Sequence, residues 1–405
     1  MIMFQQDSNF HNQFLNTKIL FLVFYIILFS MNHQTSSAMA SENFKVAFIG
    51  DQGIGANSVS VLQLIKDEGT DMVLHQGDFD YSDDSDAWDQ QINNVLGSNF
   101  PYFASIGNHD VAAWSDYQLA LANRLDRLSD IECKGDIGVN SSCKYKGVFF
   151  ILSGVGTLGS NHSSFIEKEL LADNSIWRIC SWHKNMNAMQ LGSKSDETGW
   201  EVYKNCRNGG AIIATGHEHS YSRTKTLSNF STQTVNPQWT HPNDVMIGTN
   251  SSFAFVSGIA GHSIRNQDRC LPTTFPYGCN GEWANIYTSD QNANYGALFC
   301  TFFVDGKPNK ANCYFKDILG SIPDQFTITS LIYGPLCSPP LSDNWIVSQD
   351  CILESTSIAP ANVTIRNNST LLIPSTFALN VDFSQFNLTV ESGSGVLIKS
   401  GGKIT

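Results

Sequence analysis

The chain has 405 residues, 42% of them hydrophobic, enough for one large domain with a sizeable core and a smaller module beside it. A formal net charge of −13 argues against a nucleic-acid partner, which needs basic surface, and against adhesion to anionic lipid. The total says nothing of local potential, and a cluster of metal ions would still draw an anion to an acidic protein.

The first predicted element is a leader. Ile19 to Phe29 is almost wholly apolar, Lys18 precedes it, and Ala38-Met39-Ala40 is a small-x-small cleavage pattern, so residues 1–40 read as a signal peptide. The rival reading, an uncleaved anchor, needs an apolar run of ~20 residues, and this one is shorter. No later segment reads as a membrane span. All ten cysteines lie beyond Ala40, an even count that suits disulfides in an oxidising compartment. Close spacing favours Cys133 with Cys143, Cys270 with Cys279, Cys300 with Cys313 and Cys337 with Cys351, leaving Cys180 and Cys206. Sequons, among them Asn140, Asn161 and Asn229, fit a glycoprotein surface. The expected location is secreted or cell-surface.

Residues 41–333 open as β-α-β-α-β-α. Lys45 to Ile49 is a short apolar run ending at Gly50-Asp51; Ser58 to Glu68 follows with a helical face of Val59, Leu62 and Ile65. Met72 to Gln76 runs into Gly77-Asp78-Phe79-Asp80-Tyr81, then an acidic loop to Asp86, which reads as a solvated rim, and a helix over Ala87 to Leu96. Tyr102 to Ile106 runs into Gly107-Asn108-His109-Asp110, followed by a helix over Tyr117 to Leu128. Cys133 to Cys143 reads as a loop, Gly147 to Gly154 as a strand and Ser163 to Ala172 as a helix. Trp177 to Trp182 runs into His183, residues 186–199 form a polar loop, and Trp200 to Cys206 is a short helix. Ala211 to Thr215 runs into Gly216-His217-Glu218-His219. From Val245 onward the runs at 253–257, 295–304, 312–315 and 326–333 predict a second sheet packed on the first.

Residues 334–344 are a linker by composition, with Pro335, Pro339 and Pro340. In residues 345–405, short β runs such as Val363 to Ile365, Thr370 to Ile373 and Val396 to Ile398 recur at near-regular spacing, which predicts a small β-solenoid or meander. This module reads either as a structural cap or as a device for attachment to the cell envelope or to a partner.

Five short runs with strand composition therefore end in a residue able to bind a metal. Ligands of open α/β sheets collect at the carboxyl ends of the strands, which would gather Asp51, Asp78, Tyr81, Asn108, His183, His217 and His219. Carboxylate, amide and imidazole donors without nearby thiolate suit iron, zinc or manganese. Two such ions roughly 3.5–4 Å apart clamp the attacking and leaving oxygens of a phosphoryl displacement. Asp78, in the middle of the set, is placed to bridge them. His109 is left to face substrate as a phosphate binder or general acid, with Asp110 to orient it. A Gly-Asp pair after a strand is common by itself; the weight rests on five motifs in order. His75 reads as a core histidine, and His262, next to a glycine run, as a weaker candidate for the site.

The set Gly-Asp, Gly-Asp-x-x-Tyr, Gly-Asn-His-Asp, His183 and Gly-His-x-His resembles the calcineurin-like metallophosphoesterase superfamily. Gly53 stands where most of that superfamily has a histidine, and Tyr81 is available to replace it; with Gly216 to Arg223, this makes the chain most similar to the purple acid phosphatases (tartrate-resistant acid phosphatase-like) over residues 43–320. The resemblance implies a four-layer α/β/β/α sandwich. It implies Fe(III) at Asp51, Asp78, Tyr81 and His219, and a divalent ion (Fe, Zn or Mn) at Asp78, Asn108, His183 and His217. It further implies hydrolysis of phosphate monoesters at acidic pH through a metal-bound hydroxide, with His109 and Asp110 catalytic. A phosphodiesterase of the same superfamily, acting on nucleotide or lipid diesters, is the alternative. A surface-attachment protein in which catalysis is secondary is the rival of a different class.

Overall fold

In the computed structural model, β1 (Phe44–Ile49), β2 (Met72–His75) and β3 (Tyr102–Ala104) are parallel neighbours. They are followed by α1 (Ala56–Asp67), α2 (Ser85–Val95) and α3 (Trp114–Leu125) respectively. The structure describes residues 43–307, 309–332, 336–373, 377–398 and 401–405. The leader expected over residues 1–40 and the boundary expected at 333–334 lie outside the described residues.

A hairpin of β4 (Ile131–Asp136) and β5 (Asn140–Tyr145) starts a second sheet. Its centre is the parallel set β6 (Val148–Ser153), β7 (Trp177–Ser181) and β8 (Ile212–Thr215), with α4 (His162–Ala172) and α5 (Trp200–Asn208) between them. β9 (Tyr221–Thr224) follows, then a small pair, β10 (Leu227–Asn229) and β11 (Thr234–Val235). The remaining strands are β12 (Asp244–Ile247), β13 (Ala254–Ser257), β14 (Trp283–Tyr287), β15 (Gly296–Phe302), β16 (Lys310–Asp317) and β17 (Asp324–Ser330). The first sheet has the order β12-β17-β16-β15-β1-β2-β3, and the second β14-β9-β13-β8-β7-β6-β5-β4.

This corrects the expectation that the later strands build a separate second sheet. β13 and β14 extend the sheet of β6–β8, whereas β15–β17 return to the first sheet, with β15 antiparallel to β1 and Phe44 opposite Phe302. The central strands are apolar on both faces, so their sequence carries no mark of which sheet they join. Alternation then sorts their side chains into layers. In β1, Phe44, Val46 and Phe48 enter the core between the sheets, with Phe150 and Leu152 of β6 and Ile212 of β8. Ala47 and Ile49 point the other way, against Val61, Leu62 and Ile65 of α1 and Trp88 of α2. On the far side, Ile151, Cys180 and Ile213 pack with Ile166 of α4 and Tyr203 of α5. Helix, sheet, sheet and helix make four layers.

Two local expectations change. Residues 133–143 are a hairpin rather than a loop, with Cys133 directly opposite Cys143; β4 is a largely exposed edge strand of polar residues, so no apolar alternation announces it. The acidic loop is also not simply a solvated rim. Asp80 is buried, and its carboxylate accepts from the amides of Ser82, Asp83 and Asp84. Asp84 caps α2 by accepting from Ala87 N at 2.9 Å.

Cys133–Cys143, Cys180–Cys206, Cys270–Cys279, Cys300–Cys313 and Cys337–Cys351 are all disulfides. Beyond the second sheet, the tail forms small parallel sheets. Leu336–Cys337, Cys351–Leu353, Thr370–Ile373 and Gly395–Ile398 stack in one, and Trp345–Val347, Val363–Ile365 and Leu388–Val390 in another. Ser357–Ile358, Ala378–Asn380 and Lys403–Ile404 make a third. Parallel stacking of successive turns is solenoid geometry, with its own core of Val347, Leu353, Ile365, Leu371 and Leu379.

Candidate metal centre

The carboxyl ends of β1, β2 and β3 from one sheet meet those of β7 and β8 from the other. Asp51 joins them. It follows β1, and its Oδ2 accepts from His217 N, after β8, at 2.8 Å. Its Oδ1 accepts from the Tyr81 hydroxyl at 3.0 Å and lies 3.1 Å from His219 Nε2. Tyr81 Oη and His219 Nε2 are 3.3 Å apart, which closes a triangle of oxygen, oxygen and nitrogen donors.

A second triangle stands beside it. Asp78 Oδ2 lies 3.2 Å from His183 Nε2, which in turn lies 3.0 Å from His217 Nδ1; these three residues form a cluster with metal-ligand spacing. Asn108 projects from the β3 loop, and its side-chain oxygen is buried without a hydrogen-bond partner among the described residues. Asp51, Asp78, Tyr81 and His217 all adopt left-handed backbone angles, φ 57°, 60°, 62° and 69°. Such angles are unfavourable for residues with side chains and concentrate at functional sites.

The neighbours fix which nitrogen of each imidazole faces inward. His183 Nδ1 donates to the Gln76 carbonyl at 2.7 Å, leaving Nε2 for Asp78. His219 Nδ1 is engaged by Ser263 Oγ, leaving Nε2 for Asp51 and Tyr81. His217 places Nδ1 at His183, with Nε2 lying 2.9 Å from Glu197 Oε2 on the other side of the ring.

The electrostatics follow from this packing. Burial alone would raise Asp51, yet the His219 and His183 imidazoles hold it well below the usual carboxylate range. Burial pulls His183 down, but the adjoining Asp78 carboxylate overrides it and lifts the imidazole to about 9. The space between His183 Nε2 and Asp78 Oδ2 thus favours a positive charge, which a proton on the imidazole supplies. Burial and the charge of His183 push His217 down, so it stays neutral and able to ligate. Burial and the Asp51 and Asp78 carboxylates push the Tyr81 phenol far up.

His109 is exposed at the mouth, its backbone amide donating to Asp78 Oδ1 at 2.9 Å and its ring 4.7 Å from that of Tyr81. Asp110 does not orient it, contrary to the sequence expectation. The carboxylate is fully buried and accepts from Gly107 N at 2.7 Å, Asp78 N at 2.9 Å and Phe79 N at 2.7 Å. It staples the β2 and β3 loops together, and its place is under the site rather than on the His109 ring. Burial and the charge of Asp78 raise it to about 7, against three amide donors that favour its anion.

His262 has a firmer place than its sequence context suggested. It stacks on Tyr81 at 3.5 Å and 11°, while its backbone amide donates to the Asp51 carbonyl at 3.2 Å. It follows Gly258 to Gly261 after β13, so the strand-end pattern that picked out the other residues also applied to it. Glu197 and Lys194 reach the centre from a loop with no such pattern.

Residues 44–221 match the family model for calcineurin-like phosphoesterases. That matched stretch holds all seven candidate donors, from Asp51 to His219. Among solved structures it is similar in fold to a purple acid phosphatase, PPD1 from yellow lupin (Lupinus luteus) seeds, with 18% identity and a TM-score of 0.51. That similarity covers 70% of this chain and 53% of the lupin chain, so this chain spans about half the length of that phosphatase. Weaker likenesses are to GAP50, the anchor in the inner membrane complex of Plasmodium (11% identity, TM-score 0.48, 71% of this chain and 89% of that one), and to PhoD (11%, 0.45, 71% and 68%). No curated protein matches the sequence.

Proposed function

We propose that the chain is a secreted binuclear-metal phosphoesterase that hydrolyses phosphate monoesters at acidic pH. One observation carries the reading: the buried imidazoles of His183 and His219 each have Nδ1 bonded outside the cluster and Nε2 turned to Asp78 or Asp51, and His217 brings Nδ1 within 3.0 Å of His183. That donor set, with the orphaned Asn108 oxygen, fits a pair of hard or borderline metal ions. Asp51, Asp78, Tyr81 and His219 would hold Fe(III); Asp78, Asn108, His183 and His217 would hold divalent iron, zinc or manganese. The pair supplies Lewis acidity to the phosphoryl oxygens and to the attacking water.

The remaining work falls to the chain. His109 holds a proton at its imidazole for the leaving oxygen, and its backbone bond to Asp78 keeps it at the mouth. Asp110 keeps the two loops in register. The five disulfides suit an oxidising compartment. Among the described residues no helix is long and apolar enough to cross a membrane.

Tyr81 offers the sharpest test. Its phenol is held protonated by burial and two carboxylates, so only a strongly Lewis-acidic ion would make it a phenolate. Metal content, the visible spectrum and the pH profile of the chain on an aryl phosphate and a bis-aryl phosphate are the measurements. We expect two ions per chain, a visible tyrosinate band that disappears in Tyr81→Phe, and monoester hydrolysis in acid. His109→Ala should lower turnover by about 10²-fold or more. A colourless protein with two divalent ions and a preference for the bis-ester would move the function to a phosphodiesterase and make Tyr81 a bystander. A chain that binds no metal and hydrolyses neither ester would overturn the enzyme reading.

A further inference from the structure

The segment between β7 and α5, residues 186–199, grips His217 at two points. Lys194 Nζ donates to the His217 carbonyl. Glu197 Oε2 lies 2.9 Å from His217 Nε2, and Glu197 Oε1 lies 2.9 Å from the ammonium of Lys184, the residue after His183. Glu197 Oε2 is buried and accepts no hydrogen bond of good geometry. Its approach to His217 is short in distance but off the donor axis. Among the described residues no other group is bonded to this oxygen, and a turn of the imidazole ring would bring Nε2–H onto it.

The segment is built to hold that position. Glu197 N donates to the Asn185 carbonyl at 3.1 Å, and Asp196 Oδ1 accepts from Asn187 N at 2.8 Å. Arg269 Nη1 ties in the Gln190 carbonyl at 2.9 Å. Gly156, at φ 76°, leaves room for the Glu197 carbonyl, which a Cβ there would meet at 2.5 Å. His217 itself has a left-handed backbone, an arrangement that needs support from its surroundings.

We propose that Glu197, steadied by Lys184, is a positioning residue for His217. It accepts from Nε2–H, fixes the tautomer with its lone pair on Nδ1, and keeps that nitrogen aimed at His183 and Asp78. Carboxylates behind ligating histidines act in this way in metal sites generally. The inference rests on the binuclear reading and adds a determinant of affinity at the divalent site. The competing view is a rim ion pair of little consequence, since Lys184 and Glu197 are 19% and 20% exposed.

The test is Zn²⁺ binding to the full chain by competition with a chromophoric chelator, for wild type, Glu197→Ala, Glu197→Gln and Lys184→Met. We expect two Zn²⁺ in the wild type and a loss of about 10- to 100-fold in affinity at one site only in Glu197→Ala. Glu197→Gln, whose amide oxygen still accepts from Nε2–H, should recover most of it, and Lys184→Met should lose less than Glu197→Ala. Melting of the chelator-treated proteins should be unchanged, which separates positioning from folding. Wild-type affinity at both sites in Glu197→Ala would overturn the inference and leave the binuclear reading standing. Equal loss at both sites with a lowered melting temperature in every variant would overturn it too, as a sign of a structural loop. A wild-type chain that takes up no Zn²⁺ would overturn the binuclear reading and this inference with it.

Discussion

His75 and His183 are both fully buried, yet their surroundings drive them in opposite directions. His75 accepts from Gly77 N through Nδ1 at 3.0 Å, and its Nε2 has no hydrogen-bond partner among the described residues, so burial prevails and pushes it down to about 3. At His183 the Asp78 carboxylate outweighs burial. The sign for His75 follows by linkage. An unfolded imidazole binds its proton near pH ~6.5, the folded one only near 3, so the unfolded chain holds more protons between those values. Its stability contribution is complete above the unfolded value and is lost as pH falls toward 3. We predict that this group alone lowers stability on the order of 2 kcal/mol between pH 7 and pH 5. Urea unfolding in chelator, comparing wild type with His75→Asn, checks it; equal pH dependence in both proteins refutes it. Sequence sufficed to place His75 in a core strand, because its neighbours are apolar. It was insufficient for Asp110, because which amides a carboxylate meets depends on two loops packed from different strands.

At the scale of elements, the strand ends do the positioning. The parallel register of β1 and β2 continues past the strands, with Asp51 N donating to Gly77 O and Gln52 N to Asp78 O, both at 3.0 Å. The β3 loop then closes against the β2 loop with no space to spare. A Cβ on Gly107 would lie 2.1 Å from Asp78 N and 2.2 Å from its Oδ1. Backbone atoms cannot yield as a flexible side chain does, so Gly107→Ala must displace the Asp78 loop. We predict a folded protein, by circular dichroism, whose Zn²⁺ affinity falls about tenfold or more, as for other supports of metal ligands. Unchanged affinity would show that the loop absorbs the methyl group. The five strand ends were legible because an apolar run that stops at an Asp, Asn or His leaves a local trace. The β4–β5 hairpin left none, since its exposed strand alternates between one polar surface and another.

Across the whole molecule, the two sheets are fastened by a buried ion pair. Arg223 on β9 and Asp324 on β17 meet in bidentate fashion, Nε to Oδ2 at 2.7 Å and Nη2 to Oδ1 at 2.9 Å, with Tyr221 Oη donating to Oδ2 at 2.6 Å. The guanidinium also lies 3.9 Å from the centre of the Phe326 ring. Removing one partner strands the other charge in the core, so Asp324→Ala should cost about 3–5 kcal/mol in urea unfolding. A loss under about 1 kcal/mol would mean that water reaches the vacated site. The sequence did not pair these residues, because they are 101 positions apart and lie on different sheets. The opening β-α-β-α-β-α order, the candidate donor residues and the repeating tail were legible in the sequence itself, because periodicity and strand-end chemistry are local properties. Only the tertiary structure decided that β15–β17 rejoin β1, that Asp110 lies beneath the loops, and that Glu197 and His262 reach the centre. Those outcomes depend on pairing between distant segments whose apolar faces are interchangeable until they pack.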